Sequence, residues 1–320
     1  MTKIFITRKI IDSALSPLFK NNYNVVIGGE GPYLDRATLK EKSTNSDAII
    51  TIVGDNIDKE IIDLSPNLKI IATASVGFDN IDIEYAKSKN IFVSNTPAAN
   101  ALCVAEHTMA FILNICHRIT ESDQFVRDGK YKGFDFQLML GDEISNNILG
   151  IVGLGAIGKL VAQMAINGFN MKVKYYDVTR QENWEKEYNI EFEPDFDNLL
   201  KTCDILSLHV PLNDHTKHMI NAEKLALMKP TSYLINTCRG AVVDEQALIE
   251  TLKNHNIKGA CLDVYEHEPN LSPGLTDLQN VILTPHTAAA SLEARTKMSE
   301  MAVRNVLQAL SGQTPENLIK

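Results

Sequence analysis

Three glycines, Gly153, Gly155 and Gly158, close the apolar run Ile148-Leu149-Gly150-Ile151-Val152 and open the stretch Lys159 to Ala165. Such spacings arise by chance in glycine-containing loops, so the context has to carry the argument. Here the preceding run is rich in β-branched residues, the following one is amphipathic, and Asp177 stands after the next apolar run, twenty-four positions beyond Gly153. The pattern demands a strand, a turn too tight for a side chain, and a helix packed closely on that strand, within a unit that alternates strands and helices around a parallel sheet. It also implies a ligand chemistry. Gly153 permits the turn, Gly155 lets a pyrophosphate approach backbone N–H groups at the helix N-terminus, and Gly158 lets helix and strand pack. Asp177 would accept hydrogen bonds from the hydroxyls of an adenosine ribose, which makes the segment a candidate dinucleotide site. A plain strand, turn and helix without a ligand leaves the coincidence of glycines, helix start and acid unexplained.

The same alternation runs through the whole chain. Apolar runs at Lys3 to Thr7, Asn24 to Ile27, Ala48 to Val53, Leu68 to Ala72 and Ile91 to Ser94 are separated by helix-forming segments at Ile11 to Lys20, Arg36 to Lys42, Lys59 to Leu64 and Ile83 to Lys89. A second series follows the loop-like segment Gly129 to Asn146, with strands expected at Ile148 to Val152, Lys172 to Asp177, Ile205 to Val210, Tyr233 to Asn236, Gly259 to Asp263 and Val281 to Thr284. Its helices are expected at Ile157 to Ile166, Asp197 to Leu200, Ala222 to Met228 and Glu245 to Lys253. With 320 residues, the chain is expected to form two doubly wound α/β domains with a cleft between them. The divisions are expected near 98/99 and 287/288, residues 288–320 returning to the first domain through a helix at Leu292 to Leu310.

Charge and composition restrict the partners. Hydrophobic residues at 44% and charged residues at 22% suit a globular protein rather than a disordered or fibrous one. A net charge of −9 would repel phosphate backbones and anionic lipid head groups, so nucleic acid and membranes are not expected as partners. Lys3, Arg8, Lys9 and Asp12 interrupt the first fifteen residues, which disfavours a secretory leader and points to the cytoplasm. The apolar stretch Ala101 to Cys116 contains Glu106, His107 and Asn114, is short for a bilayer, and reads as a helix buried on all sides after an Asn100 cap. Cysteines at 103, 116, 203, 238 and 261 form no C-x-x-C pair, and no zinc signature is present, so no metal is expected.

Three polar residues fall just beyond expected strands, where open parallel sheets expose their binding crevice. Arg239 follows Asn236-Thr237-Cys238, Glu268 lies past Asp263-Val264-Tyr265, and His286 follows Thr284-Pro285. Singly each has a bland reading, as surface charge, solvated loop acid or capping imidazole. As a set they match the needs of 2-keto acid reduction: a cation for the carboxylate and carbonyl dipole, a proton donor for the oxygen, and a carboxylate that keeps the donor protonated.

At these residues the chain resembles the D-isomer-specific 2-hydroxyacid dehydrogenases. The resemblance extends over Leu68 to Ile71, Val76 to Asp82, Asn95-Thr96-Pro97, Val104-Ala105-Glu106, Gly150 to Gly158, Asn236 to Asp244, Asp263-Val264-Tyr265, Glu268-Pro269 and Thr284-Pro285-His286. It implies a flavodoxin-like substrate domain and a Rossmann cofactor domain. It further implies that Arg239 holds and polarises the substrate, that His286 is the acid/base, and that Glu268 hydrogen-bonds His286. Backbone N–H groups at Val76 and Gly77, with Asn100 nearby, would take the substrate carboxylate. By the same resemblance the cofactor, NAD in preference to NADP, would meet Val76, Gly155, Ala156, Ile157, Gly158, Asp177, His209, Val210, Pro211, Thr216, Thr237, Cys238, Arg239, Asp263, His286, Thr287 and Ala288.

Departures from the family pattern bear on specificity. Cys238 stands where alanine is usual, Thr287-Ala288-Ala289 replaces a glycine-containing run, and Phe134 and Phe136 occupy an arm where one branch carries tryptophan. The resemblance implies a homodimer and a small 2-keto acid, with glyoxylate, hydroxypyruvate and pyruvate expected in that order. The family's corepressors, dinucleotide-sensing binding proteins that retain Arg, Glu and His, are the alternative. Turnover of NADH with 2-keto acids separates the two.

Overall fold

A computed structural model describes residues 1–31 and 34–319. The chain divides into two compact units, Met1–Asn100 with Ala290–Lys320, and Ala101–Ala289. The first division falls after Asn100 because the long helix that opens the second unit starts at Ala101.

The first unit is built on β1 (Lys3–Ile6), β2 (Asn24–Ile27), β3 (Ala48–Thr51), β4 (Ile70–Thr73) and β5 (Phe92–Ser94), all parallel and ordered β2-β1-β3-β4-β5. That is the flavodoxin-like doubly wound order. A parallel sheet covered on both faces reads as continuous apolar runs rather than alternation, and Ile4, Phe5, Ile6, Ile49, Ile50, Ile70 and Ile71 are fully buried. Successive residues sort to opposite faces. Ile4, Ile6, Ile50 and Ile70 pack with Leu15 and Leu18 of the helix Asp12–Lys20 and with Ala302 and Val306 of the helix Leu292–Leu310. Phe5, Ile49 and Ile71 pack with Leu39, Ile61 and Ala86 from the three helices on the other face. Each such side chain contributes about 2 kcal/mol of burial. Asp35, Asp58 and Asp82 each cap a helix by accepting a backbone N–H, from Thr38, Ile61 and Tyr85.

The second unit holds β6 (Ile148–Val152), β7 (Lys172–Tyr176), β8 (Glu191–Phe192), β9 (Ile205–Leu208), β10 (Tyr233–Asn236), β11 (Gly259–Leu262) and β12 (Val281–Leu283). Their order, β12-β11-β10-β9-β6-β7-β8, reverses direction between β6 and β9. In such a sheet that reversal, at the carboxyl ends of the strands, is where a ligand crevice forms. One face packs Ile151 and Tyr175 with Val161 and Ala165 of the helix Ala156–Phe169, the other packs Leu206 and Leu234 with Leu248.

Three elements escape the sequence pattern. The helix Ile119–Arg127 is amphipathic but buries no residue in its own chain, Ile119 and Val126 staying exposed. The helix Glu182–Tyr188 is mostly charged and holds on through Trp184 and Tyr188, stacked at 4.4 Å. Strand β8 is two residues long and exists through its pairing with β7. The helix Ala101–Cys116 also differs from the all-round burial expected of it: Val104, Ala105, Met109 and Ile112 are buried, while Leu102 is 56% exposed. Among the described residues no helix is long and apolar enough to cross a membrane.

Candidate active site

The carboxyl ends of β6, β7, β9, β10, β11 and β12 form one continuous edge of the second unit, and the predicted residues of that unit lie along it. At the end of β6, Gly153 has φ +93, and a Cβ there would stand 2.6 Å from the His209 carbonyl oxygen. No other residue adopts that turn without strain. A Cβ at Gly158 would stand 2.2 Å from the Gly153 carbonyl oxygen, so this glycine serves helix against turn. Gly155 is different, since a Cβ there would meet nothing within 4 Å. It is the N-cap of the 14-residue helix, and its openness belongs to the face where the first N–H groups, those of Ala156, Ile157 and Gly158, precede the helical bonding that begins at Lys159. An anion fits there by dipole and by donor count.

Asp177 ends β7 beside this turn. Its Oδ2 accepts the Leu154 N–H at 2.7 Å and its Oδ1 accepts the Thr179 N–H at 3.0 Å. Each oxygen keeps a lone pair for a hydroxyl donor. Next along the edge, the His209 N–H bonds to the Val152 carbonyl and its Nε2 lies 2.9 Å from Ser207 Oγ. Burial pushes the His209 imidazole down to about 4, which makes it a neutral packing group of the turn. Thr216 Oγ1 donates to the Pro211 carbonyl at 2.6 Å and so closes the loop that carries Val210 and Pro211.

Beyond β10, Thr237 Oγ1 meets Thr108 Oγ1 at 3.1 Å, and Asn236 Oδ1 accepts the Cys238 N–H at 3.1 Å while its Nδ2 donates to the Arg239 carbonyl. Arg239 Nη1 donates to the Cys238 carbonyl at 2.7 Å. Burial pushes the Cys238 thiol up, so it stays protonated.

The ends of β11 and β12 carry the acid and the imidazole. His286 Nδ1 and Glu268 Oε2 are 2.8 Å apart, with side chains 31% and 25% exposed. Glu268 Oε1 accepts the Tyr265 N–H at 2.9 Å. Desolvation pushes the Glu268 carboxyl up, but the His286 hydrogen bond and charge, the Tyr265 N–H and the nearby Arg239 outweigh it and hold the group below the ordinary carboxylate value. His286 has a left-handed backbone, φ +55, secured by its N–H to the Asp263 and Thr284 carbonyls. The buried Asp263 carboxylate grips the same turn: it accepts the N–H groups of Thr287 and Ala288 at 2.7 Å and the Thr284 hydroxyl at 2.5 Å. Aimed by this turn, the free edge of the imidazole is Nε2.

Val76, Gly77 and Asn100 belong to the first unit. Val76 and Gly77 follow β4, where Asn95 Nδ2 donates to the Val76 carbonyl at 2.8 Å and Ser75 Oγ donates to the Gly77 carbonyl at 2.6 Å. Asn100 Oδ1 is buried without a partner among the described residues. The sequence reading did not single out Tyr265 and Thr284, although Tyr265 Oη donates to the Thr284 carbonyl at 2.8 Å and ties the two loops together. Their positions beside Glu268 and His286 were the available signal.

Residues 109–288 match the family described as D-isomer specific 2-hydroxyacid dehydrogenase, NAD binding domain. The chain belongs to the D-isomer-specific 2-hydroxyacid dehydrogenases. Across 321 aligned residues, 99% of this chain and 96% of the relative, it is 43% identical to a glyoxylate reductase of Thermococcus litoralis. Among solved structures it is similar to a D-lactate dehydrogenase of Aquifex aeolicus complexed with NAD and lactic acid, at a TM-score of 0.84 and 32% identity over 99% of each chain. It is likewise similar to an NADPH-dependent glyoxylate/hydroxypyruvate reductase of Sinorhizobium meliloti in complex with NADP and malonate, at a TM-score of 0.86 and 28% identity over 99% of this chain and 96% of that one. As a member of this family the protein is an oxidoreductase that passes hydride between a nicotinamide cofactor and a 2-hydroxy or 2-keto acid.

Proposed function

We propose that the enzyme reduces a small 2-keto acid, glyoxylate first, hydroxypyruvate second and pyruvate third, with NADH in preference to NADPH. The observation that carries the reading is the His286 to Glu268 contact of 2.8 Å on the loops beside Arg239. Identity to the Thermococcus glyoxylate reductase supports the order of substrates. When bound, the nicotinamide supplies the hydride.

The chain's own residues do the rest. Arg239 neutralises the substrate carboxylate and draws charge onto the carbonyl oxygen, a task suited to a planar two-pronged cation. His286 gives the Nε2 proton to the developing alkoxide. Glu268, ionised because its carboxyl lies below the ordinary value, keeps the imidazole oriented through Nδ1. Backbone N–H groups of Val76 and Gly77, with Asn100, are assigned to the substrate carboxylate on the resemblance to the family. The N–H groups of Gly155 to Gly158 hold the pyrophosphate, Asp177 takes the adenosine ribose, and Val210, Pro211, Thr216, Thr237, Cys238, Asp263 and Ala288 line the remaining length of the cofactor.

Preference for NADH rests on two observations. The Asp177 carboxylate would face a 2′-phosphate, and Arg180, three residues further on, is held by Glu185 at 2.8 Å and lies over the Phe192 ring. Phe134 and Phe136, 89% and 78% exposed, sit on a segment that finds no core in its own chain, which supports a homodimer. Cys238 beside the substrate arginine suits the reducing cytoplasm. Oxidation of NADH measured with a panel of 2-keto acids tests the reading, and failure to turn over any of them would overturn it.

A further inference from the structure

Arg239 and Glu268 stand on neighbouring loops, and the parallel register between their strands ends at Asn236 and Leu262. Past that point the sheet no longer sets the distance between the two loops. The backbones themselves come into contact: a Cβ at Gly240 would stand 1.9 Å from the Tyr265 carbonyl carbon and 2.4 Å from the Glu266 nitrogen. Contact alone allows sliding, so the register needs directional bonds.

We infer that Glu245, with Glu266 and His218, is a positioning clamp that sets the Arg239 loop against the Glu268 loop. This rests on the roles given above to Arg239, Glu268 and His286. Glu245 opens the helix Glu245–Lys253, six residues after Arg239, and is 2% exposed. Its Oε1 accepts the Glu266 N–H at 2.6 Å, and Glu266 Oε2 accepts the Glu245 N–H at 3.4 Å. Glu266 Oε1 meets His218 Nε2 at 2.7 Å. The ring closes because the His218 N–H bonds to the Ala241 carbonyl and the Ile220 N–H to the Val242 carbonyl, both on the Arg239 loop. Three segments are therefore laced together by one buried acid, one partly buried acid and one imidazole.

The clamp acts at the peptide next to the one that matters. Glu245 holds the N–H of Glu266, and the adjoining N–H, that of Tyr265, is the donor that holds Glu268 Oε1. A charge-assisted bond to the backbone is roughly twice as strong as a neutral one, so a carboxylate here stiffens the loop more than an amide would. Glu245 Oε2 has no hydrogen-bond partner among the described residues. Packing alone would favour an apolar side chain at such a place.

The test is steady-state reduction of glyoxylate by NADH with the full-length enzyme. Glu245→Ala should lower kcat about tenfold, as small misplacements of reacting groups do, and leave the KM for NADH within about twofold because the glycine turn is untouched. Glu245→Gln, which keeps the acceptor, should recover most of the loss. In a Glu268→Gln background the Glu245→Ala change should cost less than about twofold, because it acts through Glu268. Where Glu245→Ala does not fold, Glu266→Ala carries the same comparison from a more accessible position. A folded variant with wild-type kcat, or an equal loss with and without Glu268, overturns the clamp. Intact turnover in Glu268→Gln and Arg239→Lys themselves would instead overturn the site on which the clamp rests.

Discussion

Each unit places a hydrogen-bonded pair of ionisable side chains just beyond the carboxyl ends of its strands, and the two pairs differ in what they leave open. In the first unit Arg8, after β1, donates through Nε to Asp55 Oδ2 at 3.1 Å and through Nη2 to the Val53 carbonyl at 2.7 Å, with side chains 8% and 2% exposed. In the second, His286 and Glu268 are 2.8 Å apart with side chains 31% and 25% exposed. A pair closed off from solvent is committed to its own partners and holds loops together. A pair that solvent reaches keeps an edge, here Nε2, and it is this edge that the proposed function gives to the substrate. On that proposal, the same sheet architecture makes a structural strut at one set of strand ends and a reactive pair at the other.

Removing each partner should separate the two roles. His286→Ala should lower kcat by about a thousandfold, within the usual range for a lost acid/base group, with little change in unfolding free energy. Arg8→Ala should do the reverse: breaking a buried pair leaves Asp55 uncompensated and costs about 3 to 5 kcal/mol in urea unfolding, while turnover per folded molecule stays near wild type. Lost turnover in a fully stable Arg8→Ala protein would assign Arg8 to the active site and erase the contrast.

Arg239→Lys should lose about a hundredfold in kcat/KM, since an ammonium cannot reproduce the two-pronged contact. Near-normal turnover would return Arg239 to a surface charge. The ratio of kcat/KM for NADH over NADPH should be about a hundred, from repulsion of a few kcal/mol between the Asp177 carboxylate and a 2′-phosphate. Equal values would show that Asp177 does not face the ribose.

The smallest effect concerns pH. The Glu268 carboxyl is held below its ordinary value of 4.5, so the stability it contributes is complete above that pH and is lost as pH falls through the lowered value. Glu268→Gln should flatten that acid-side slope of stability. Superimposable pH profiles for variant and wild type would leave Glu268 a solvated loop acid.

Much of this was legible in the sequence because local rules sufficed. Parallel strands covered on both faces are mostly apolar, so eleven of the twelve strands stand out in the sequence, the central ones most plainly as runs such as Ala48-Ile49-Ile50-Thr51. The turn at Gly153 and the close approach at Gly158 admit glycine alone, so the dinucleotide fingerprint survives as spacing. Arg239, Glu268 and His286 were visible as polar residues at strand ends.

What escaped was whatever depends on partners distant in the chain. Strand β8 and the helix Glu182–Tyr188 have little pattern of their own and exist through the neighbours they meet. Asp263 reads as a strand-end acid, yet folding makes it the acceptor for Thr284, Thr287 and Ala288 that turns His286 into place. Glu245 reads as an ordinary first-turn acid of a helix, and only the packing of Gly240 on Tyr265 delivers it to the Glu266 N–H. Sequence determines conformations and burial that a few neighbouring residues enforce. Hydrogen-bond partners across loops are decided by tertiary structure, because their geometry is set by two strands and a helix at once.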